Sequence, residues 1–409
     1  MKYIKRALEG TFLRLSKQFP AILVTGSRQV GKTTMLKKLM QDENIGREYV
    51  TLDDLPERDM AKNDPKLFLQ LHKPPVFIDE VQYAPELFTY IKIHVDQHKN
   101  PGDFWLTGSQ VYHLMRGVQE SLAGRVCLLN MSSLSQAEIC ETPSRPFVVN
   151  LDVLMAREKE VQPVETPELY QRIYNGGMPA FLSGQYTDRR AVYNSYVDTY
   201  INRDARDISG AVDSLQFMNF ITATAALTSQ MLSYKTIAQA SGISEAKTKE
   251  WLNILETLGI IFYLRPYSNN TLKRMVSTPK LYFSDTGLVA YLTRWSDHDT
   301  LMNGAMSGAI LENFVVSEII KSYHNCGLEP FIYYYRDKDT KEIDVIMEHD
   351  GKLYPIEIKK TTLPATQLTR VFKVIEKSPL IRGTGAVLCT SDKLSAFDRE
   401  NLIVPAWLI

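Results

Sequence analysis

The sequence predicts an α/β protein: a parallel sheet covered by helices, then a helical region, a helix-turn-helix with a wing and a second α/β region. Three observations support this fold class. Short apolar runs alternate with helical patterns as far as Asn150, strand signals are absent from there to about Gly210, and they return after that point. Strands that alternate with helices favour a parallel sheet with both faces covered.

Five short apolar segments give the strand signal of the first region. Helical patterns lie between them, which indicates successive βα units. The segments are Ala21–Gly26, Glu48–Asp54, Pro75–Glu80, Phe104–Ser109 and Val126–Met131.

The middle of the chain divides into two predicted parts. Residues 151–211 form a helical subdomain interrupted by the GGMP sequence at Gly176–Pro179. Residues 212–270 form a winged helix, with a tight turn at Gly242, a second helix from about Ser244 and an apolar strand pair before Asn269. The predicted boundaries are therefore 1–150, 151–211, 212–270 and 271–409.

The last region predicts a long apolar helix followed by strands. The helix covers Gly308–Tyr323. Its strand-like runs are Phe331–Tyr335, Glu342–Met347, Leu353–Lys359 and Gly385–Leu388.

Composition limits the classes of function. The chain has 409 residues, enough for two to four domains, and its 47 basic residues balance 47 acidic ones, so binding driven by overall charge is not indicated. The 4 cysteines form no CxxC pair, which argues against a zinc ribbon and fits a reducing compartment. The N-terminus reads as an amphipathic helix and no apolar run could span a bilayer, so we expect a cytoplasmic protein without membrane contact.

A glycine-rich sequence with a lysine follows the first strand and precedes a helical pattern. It matches the P-loop pattern G-x-x-x-x-G-K-[ST], in which backbone N–H groups and the helix N-terminus hold phosphates. Lys32 would neutralise phosphate charge, and the Thr33 hydroxyl would bind Mg²⁺. The predicted ATP-binding residues are Gly26, Ser27, Arg28, Gln29, Val30, Gly31, Lys32, Thr33 and Thr34.

Two carboxylates follow the third strand, as hydrolysis requires. Asp79 would hold the Mg²⁺ through water, and Glu80 would orient and deprotonate the attacking water. After the fourth strand, Ser109 would sense the γ-phosphate, with Gln110 as the alternative. A simple polar turn is an equally good interpretation of that segment.

Segments along nearly the whole chain resemble the AAA+ ATPases that carry a C-terminal DUF4143 domain. They are YIKRAL, GSRQVGKTT, TLDD, FIDEVQ, LTGSQ, SLAGR, YNGGMPAF, LYFSDTGL and IEIKK. The resemblance implies an AAA+ core with a helical lid and a homo-oligomeric ring in which a neighbour's arginine completes each nucleotide site. Arg125 would be that arginine, or else a structural arginine, and Arg203 would belong to the lid. The pair Asp53 and Asp54 is typical of the family.

The last region holds a second set of charged residues. Glu312, Asp344, Glu357 and Lys359 follow the order E…D…E-x-K of PD-(D/E)XK nucleases. Glu357 and Lys359 would share one strand face, and Asp344 would lie beside Glu357. Asp344 and Glu357 would hold Mg²⁺ or Mn²⁺, Lys359 would stabilise developing charge and Glu312 would support the metal. Alternating apolar and charged residues are equally typical of a half-buried edge strand without a site.

The helix-turn-helix offers a surface for DNA. Lys247 and Lys249 would contact phosphates near the start of the second helix, although Glu245 and Glu250 offset their charge. We therefore expect an ATPase that uses Mg²⁺ and ATP to drive or gate a nuclease-like domain acting on DNA. The alternatives are an ATP-dependent switch or scaffold with an inert nuclease fold, and a DNA remodeller that does not cut.

Overall fold

The computed structural model describes residues 2–43, 45–109, 123–201, 205, 213–268, 277–337 and 341–409. The alternative sensor Gln110 and the expected lid arginine Arg203 lie outside these residues. Within the described ranges, no helix is both long and apolar enough to cross a membrane.

The N-terminal region is built on a five-stranded parallel sheet with strand order β2-β3-β4-β1-β5. All five predicted strands are confirmed. Because the strands are parallel, the loops that follow β1, β3 and β4 leave the sheet at the same edge. The strands are β1 (Ala21–Thr25), β2 (Glu48–Thr51), β3 (Val76–Asp79), β4 (Phe104–Gly108) and β5 (Val126–Asn130).

Helices cover both faces of this sheet. On one face Phe12 of the first helix packs edge-on against Trp105 of β4 at a centroid distance of 4.8 Å. The other face is closed by apolar residues such as Phe68 and Phe88. The helices are α1 (Leu8–Ser16), α2 (Lys32–Glu43), α3 (Leu55–Asn63), α4 (Pro65–Leu71), α5 (Leu87–His98) and α6 (Gln136–Ile139).

The region after Asn150 is helical, as predicted. It contains α7 (Leu151–Glu158), α8 (Thr166–Asn175), α9 (Pro179–Leu182), α10 (Arg189–Ser195) and a π-helical turn at Tyr196–Ile201. The glycine pair after α8 approaches a later segment closely, because Gly177 N donates to the carboxylate of Asp285 at 2.6 Å. Tyr193 OH donates to the same carboxylate at 2.7 Å. The Gly177 bond joins the YNGGMPAF and LYFSDTGL segments.

The helix-turn-helix pattern is present, but its strand pair differs from the prediction. The elements are α11 (Ser214–Ala226), α12 (Tyr234–Ser241), α13 (Glu245–Thr257), β6 (Ile261–Leu264) and β7 (Lys280–Phe283). We expected both strands before Asn269, but β6 pairs antiparallel with β7, which lies beyond the predicted boundary at 270. The error arose because a period-two pattern locates a strand and does not identify its partner.

The C-terminal region contains a mixed sheet with strand order β13-β14-β12-β10-β9-β8, and β11 pairs with β10. The four predicted strands are present as β8, β9, β10 and β12. The helices are α14 (Thr286–Leu292), α15 (His298–Asn303) and α16 (Ser307–His324). The strands are β8 (Ile332–Arg336), β9 (Glu342–His349), β10 (Lys352–Lys359), β11 (Ile381–Arg382), β12 (Gly385–Cys389), β13 (Ser395–Ala396) and β14 (Asn401–Pro405).

One buried cluster joins the regions that follow the N-terminal sheet. It runs from Phe147 to Leu408 and includes residues of the helical region, the helix-turn-helix and the C-terminal sheet, for example Tyr193, Trp251 and Phe314. The N-terminal sheet has its own apolar clusters on its two faces. The described residues therefore form a cluster on each face of the first sheet, one large cluster shared by the later regions and a smaller one around Phe372 at the C-terminal sheet.

Candidate functional site

The loop between β1 and α2 opens into a cavity of about 480 Å³. The segment before α1 and the α9 region close its other sides. The cavity is lined from the loop side by Arg28, Gln29, Val30, Gly31, Lys32, Thr33 and Thr34, and from elsewhere by residues that include Tyr3, Asp53, Glu80, Tyr186 and Tyr200. All loop residues predicted to bind ATP except Gly26 and Ser27 thus line this cavity, and Asp53 lies at it.

Gly26 and Lys32 shape the loop. Gly26 has φ +139°, and a Cβ there would lie 2.1 Å from the carbonyl oxygen of Met131, so only glycine fits. The Lys32 ammonium crosses the loop and donates to the carbonyl oxygens of Gly26 at 3.0 Å and Ser27 at 2.8 Å. Burial lowers the pKa of Lys32 to about 8. An anion in the loop would offset this, so the loop is built to receive negative charge.

Thr33 and Asp79 form an oxygen pair at the base of the cavity. The Thr33 hydroxyl donates to the two carboxylate oxygens of Asp79 at 2.9 and 3.0 Å, and Tyr49 OH donates to the same carboxylate at 3.1 Å. Burial raises the pKa of Asp79, while hydrogen bonds from Thr107 and Thr33 act in the opposite direction. A hydroxyl and a carboxylate at the phosphate loop are donors that suit Mg²⁺, so these residues fit the predicted ion, which would neutralise phosphate charge there.

Glu80 leaves β3 in a left-handed conformation. Its φ is 58°, and its backbone N–H donates to Thr107 Oγ1 at 3.1 Å. Ser109 Oγ donates to Glu80 Oε2 at 3.1 Å. A non-glycine residue with positive φ is held in place by its neighbours, and such residues cluster at functional sites. The structure thus brings the predicted base and the predicted sensor together at the edge of the cavity.

Arg6 is a site residue that sequence reasoning missed. It is 4% exposed, donates to the Val30 carbonyl in the phosphate loop at 2.6 Å and to the Ser132 carbonyl at 2.8 Å, and forms an ion pair with Glu138 at 2.8 Å. In an amphipathic N-terminal pattern it resembled a surface charge. The buried ion pair ties the start of the chain to the loop.

Arg125 lies away from this cavity. It precedes Val126, which pairs with Ala21 at the start of β1, whereas the phosphate loop follows the end of that strand. Its guanidinium pairs with Asp96 at 2.5 Å. Arg125 therefore does not reach the nucleotide site of its own chain, and its role towards a neighbouring copy stays a prediction.

The C-terminal residues predicted to form a site converge. Lys359 Nζ lies 2.7 Å from Glu357 Oε1 and 3.2 Å from Asp344 Oδ2. The backbone N–H of Ile358 also donates to Asp344 Oδ2 at 2.9 Å. The strand β10 lies between β9 and β12, so it is not an edge strand. Glu357 Oε2 is buried and has no hydrogen-bond partner in the described part of the chain.

Two further residues of this cluster come from β7 and were missed by the sequence analysis. Lys280 Nζ lies 3.0 Å from Glu312 Oε1, 2.7 Å from Glu342 Oε1 and 3.6 Å from Asp344 Oδ1. Tyr282 OH donates to Glu312 Oε1 at 2.7 Å. No pattern in the sequence pointed to them, because only the pairing of β7 brings them to α16 and β9.

The charges of this cluster are mutually dependent. Burial, followed by the charge of Asp344, raises the pKa of both Glu312 and Glu357 to about 7. Burial disfavours the charged form of Lys280, but the charges of Glu312 and Asp344 outweigh it and raise the pKa of this lysine. The buried ammonium of Lys280 and the partly exposed ammonium of Lys359 thus hold these carboxylates together.

The predicted metal does not fit this arrangement. In the described ranges, no group of three or more His, Cys, Asp or Glu side chains is placed to hold a metal ion. Lys359 pairs with both predicted ligands, Asp344 and Glu357, and the Lys280 ammonium lies between Glu312 and Asp344. The metal role of Asp344 and Glu357 stays a prediction.

The two predicted DNA contacts lie at the start of α13. Ser244 caps this helix by accepting from Lys247 N at 3.2 Å. The Lys247 ammonium lies 4.7 Å from the centre of the buried Trp251 ring, so part of this side chain packs on the core. Lys249 is exposed. Of the two, Lys249 is the more available to a phosphate.

Comparisons with known proteins match three separate ranges of the chain. A family model described as an AAA domain matches residues 18–140. Two domains of unknown function match the remainder: DUF8612 over residues 166–299 and DUF4143 over residues 307–409. The first of these spans both β6 and β7.

Curated relatives and solved structures show more distant similarity. Uncharacterized protein Rv2008c of Mycobacterium tuberculosis and uncharacterized protein Mb2031c of Mycobacterium bovis are each 28% identical over 363 residues, covering 88% of this chain and 75% of theirs. The Walker-type ATPase of Pyrococcus abyssi covers 71% of this chain and 96% of its own at 14% identity, with a TM-score of 0.44. The RuvB Holliday junction branch migration motor of Thermotoga maritima covers 63% of this chain and 85% of its own at 16% identity, with a TM-score of 0.30.

The two family matches at the ends of the chain agree with the P-loop geometry in the N-terminal region and with the sequence resemblance. The chain therefore carries an AAA-type P-loop ATPase-like domain at its N-terminus and a DUF4143 domain at its C-terminus.

Proposed function

We propose that this protein hydrolyses ATP with Mg²⁺ and uses the nucleotide cycle to gate a C-terminal nuclease-like domain that acts on DNA. Lys32 holds the phosphates, and Thr33 and Asp79 hold the ion. Glu80 orients the attacking water and accepts its proton, and Ser109 keeps the Glu80 carboxylate in place. A positioned base of this kind contributes about 10²–10⁴-fold to the rate.

The observation that carries the gating is a direct contact between the phosphate loop and the helix-turn-helix. Ser27 Oγ donates to the Gly259 carbonyl at 2.9 Å. Gly259 joins α13 to β6, and Ser284 N after β7 donates to Ile260 O at 2.9 Å. A rearrangement of the loop on nucleotide binding would therefore reach the β6–β7 ribbon directly.

The ribbon leads from there to the C-terminal cluster. It carries Lys280 and Tyr282, both of which contact Glu312 of α16. This path of packed and hydrogen-bonded groups supports coupling between the two sites, and coupling itself has to be measured.

The proposal includes partners. DNA would contact the start of α13 through Lys249 and the C-terminal domain beside Lys359. A homo-oligomeric ring would bring Arg125 of one copy towards the nucleotide site of the next. The proposed division into AAA core, helical lid, winged helix and nuclease-like domain then assigns β7 to the wing.

DNA cleavage and ATP turnover by the purified protein test the proposal. Single-stranded, duplex and supercoiled DNA would be incubated with Mg²⁺ or Mn²⁺, with and without ATP. We expect cleavage that is lost in Lys359→Ala and that loses its response to ATP in Lys32→Ala. The exposed Lys360→Ala is the matched control for Lys359. Absence of cleavage on every substrate, with ATP turnover intact, would refute the nuclease part.

The coupling has its own variant. Ser27→Ala removes the side-chain bond to Gly259 and leaves the backbone carbonyl that Lys32 contacts, so we expect the response of cleavage to ATP to fall by a larger factor than ATP turnover itself. An unchanged response would show that the loop does not act through this contact.

One observation favours a second candidate, an ATP-dependent switch or scaffold with an inert nuclease fold. Two lysine side chains already pair with the carboxylates of the C-terminal cluster. In that case ATP would control assembly or a protein partner, and DNA binding would be absent. For the third alternative, a remodeller that does not cut, DNA binding would be present without cleavage. Salt-dependent DNA binding separates these outcomes, since phosphate contacts weaken steeply with salt.

A further inference from the structure

Lys280 is the most completely enclosed charge of the C-terminal cluster. It is 3% exposed, and its ammonium contacts carboxylates from two other elements: Glu312 on α16, and Glu342 and Asp344 on β9. An isolated buried ammonium is costly, so its position depends on these three partners. The reverse is also true, because Glu312 and Asp344 would repel each other without a cation between them.

The position of this ammonium is the one that a divalent cation would need. An ion bound by Glu312 and Asp344 would have to lie between their carboxylates, where Lys280 Nζ already lies within 3.0 Å of one and 3.6 Å of the other. Lys359 covers the far oxygen of Asp344 at 3.2 Å. Glu357 Oε2 is buried and has no hydrogen-bond partner within the described residues.

We propose that Lys280 is the resident cation of this cluster and that a divalent cation binds Glu312 and Asp344 only when the Lys280 side chain is displaced. This inference rests on the proposed gating in one respect: the displacement of Lys280 would come from a movement of the β6–β7 ribbon. It concerns cation binding itself, so it can be tested without DNA and without cleavage.

The ribbon explains how Lys280 could be displaced. Lys280 pairs with Leu264 at the far end of β6 from Gly259, and it also bridges to Met231 before α12. Its ammonium thus depends on the position of two segments of the helix-turn-helix region. A small shift of β7 against α16 would separate Lys280 from Glu312, since hydrogen bonds weaken steeply beyond their normal length.

Binding of Mn²⁺, followed by the loss of its free-ion paramagnetic resonance signal, tests the proposal. The full-length protein would carry Asp79→Asn, which removes the carboxylate of the N-terminal site, so that bound Mn²⁺ reports the C-terminal cluster. With Lys280 present we expect no saturable site. Lys280→Met should create one site with affinity at least about tenfold higher, because a positive charge is removed from between two carboxylates. Lys360→Met, on the exposed end of the same sheet region, should create none.

Two additional variants assign the site. Glu312→Gln or Asp344→Asn, each added to Lys280→Met, should abolish the new Mn²⁺ site. If Lys280→Met does not fold, Lys280→Gln keeps a hydrogen-bond donor for Glu312 and replaces it in the same titration. As a second readout, Mn²⁺ should raise the Tm of the Lys280→Met or Lys280→Gln protein and leave the Tm of the Lys280 protein unchanged.

Equal Mn²⁺ affinity with and without Lys280 would overturn the inference, as would a Lys280 variant that folds and binds no Mn²⁺. The outcome is independent of the proposed function. A Mn²⁺ site gained in Lys280→Met without any DNA cleavage supports the resident cation and refutes the nuclease. Cleavage by a protein that binds Mn²⁺ equally well with Lys280 present supports the nuclease and refutes the resident cation.

Discussion

The nucleotide site and the C-terminal cluster both combine lysine with carboxylates, but the lysine side chains have different hydrogen-bond partners in the two places. In the phosphate loop, Lys32 donates to two backbone carbonyls, while the Asp79 carboxylate is held by hydroxyl groups. In the C-terminal cluster, Lys280 and Lys359 are bound directly to carboxylates. The first site therefore keeps its cationic and anionic groups apart, whereas in the second the cationic and anionic groups are paired with each other.

This difference shows what decides whether a carboxylate and lysine pattern can bind a ligand. A lysine bound to neutral carbonyls loses little when an anion arrives. A lysine bound to buried carboxylates leaves uncompensated charge behind when it moves. The first arrangement is ready to bind, and the second needs an input of free energy to open, which a nucleotide cycle could provide.

The largest expected effect comes from Lys32. Lys32→Ala should lower ATP turnover at least about a hundredfold, the scale seen when a positioned electrostatic group is removed from an active site. Unfolding in urea should change little, because the partners of Lys32 are uncharged. The surface residue Lys38 of the same helix, which pairs with Asp42, is the control. Turnover above a tenth of the wild-type rate would contradict the comparison for the first site.

Glu80 separates binding from hydrolysis at the same site. Glu80→Gln should lower ATP turnover about a hundredfold and leave nucleotide affinity within a factor of about three, since the base acts on water and not on the phosphates. Steady-state turnover and equilibrium binding of a fluorescent nucleotide measure the two quantities. Glu86→Gln is the matched control. A loss of affinity as large as the loss of rate would mean that Glu80 positions the nucleotide.

Arg6 tests whether a buried ion pair supports the loop as strongly as the lysines support the second cluster. Arg6→Met should lower the free energy of unfolding by about 3–5 kcal/mol, because the carboxylate of Glu138 stays buried without a cation. Urea unfolding measures this change, with the exposed Lys5→Met as control. A double variant with Glu138→Gln should recover part of the loss. A change below about 1 kcal/mol would place the pair among weak surface contacts.

The smallest expected effect is a pH dependence of the second cluster. The pKa values of Glu312 and Glu357 are raised to about 7 from 4.5 by burial first and Asp344 second, so the folded protein binds more protons between these values. The free energy of unfolding should therefore fall as pH rises from 5 to 8. In Glu357→Gln this fall should be smaller, and in the exposed Glu376→Gln it should be unchanged. Equal slopes in the first variant and the wild type would refute the shift.

The sequence predicted those parts of the molecule in which local pattern and function coincide. The phosphate loop directly follows β1, and the pair Asp79 and Glu80 stands at the end of β3. Because these strands are parallel, strand direction alone brings the loop and the two carboxylates to the same edge of the sheet. Glu357 and Lys359 were also placed correctly, because one strand presents them on one face. In each case the residues that make the pattern are the residues that meet in space.

The residues that were missed come from pairing across the chain. Arg6 reaches the phosphate loop only because α1 packs on the first sheet. Lys280 reaches Glu312 only because β7 pairs with β6 across residues 265–279. Neither contact leaves a periodic or motif signal, and a buried lysine is rare enough that its default interpretation is a surface residue. Long-range pairing decided the chemistry of the second cluster.

The separation of β6 from β7 along the chain has a consequence for producing parts of this protein. A fragment that stops at 270 would end with β6 as an unpaired apolar strand. A fragment that starts at 271 would keep β7 and its lysine beside the carboxylates of α16 and β9, but β7 would lack its partner strand β6. Exposed apolar edges are sites of aggregation. A fragment boundary close to residue 146, before the shared cluster begins at Phe147, would keep both strands and their carboxylate partners in one fragment.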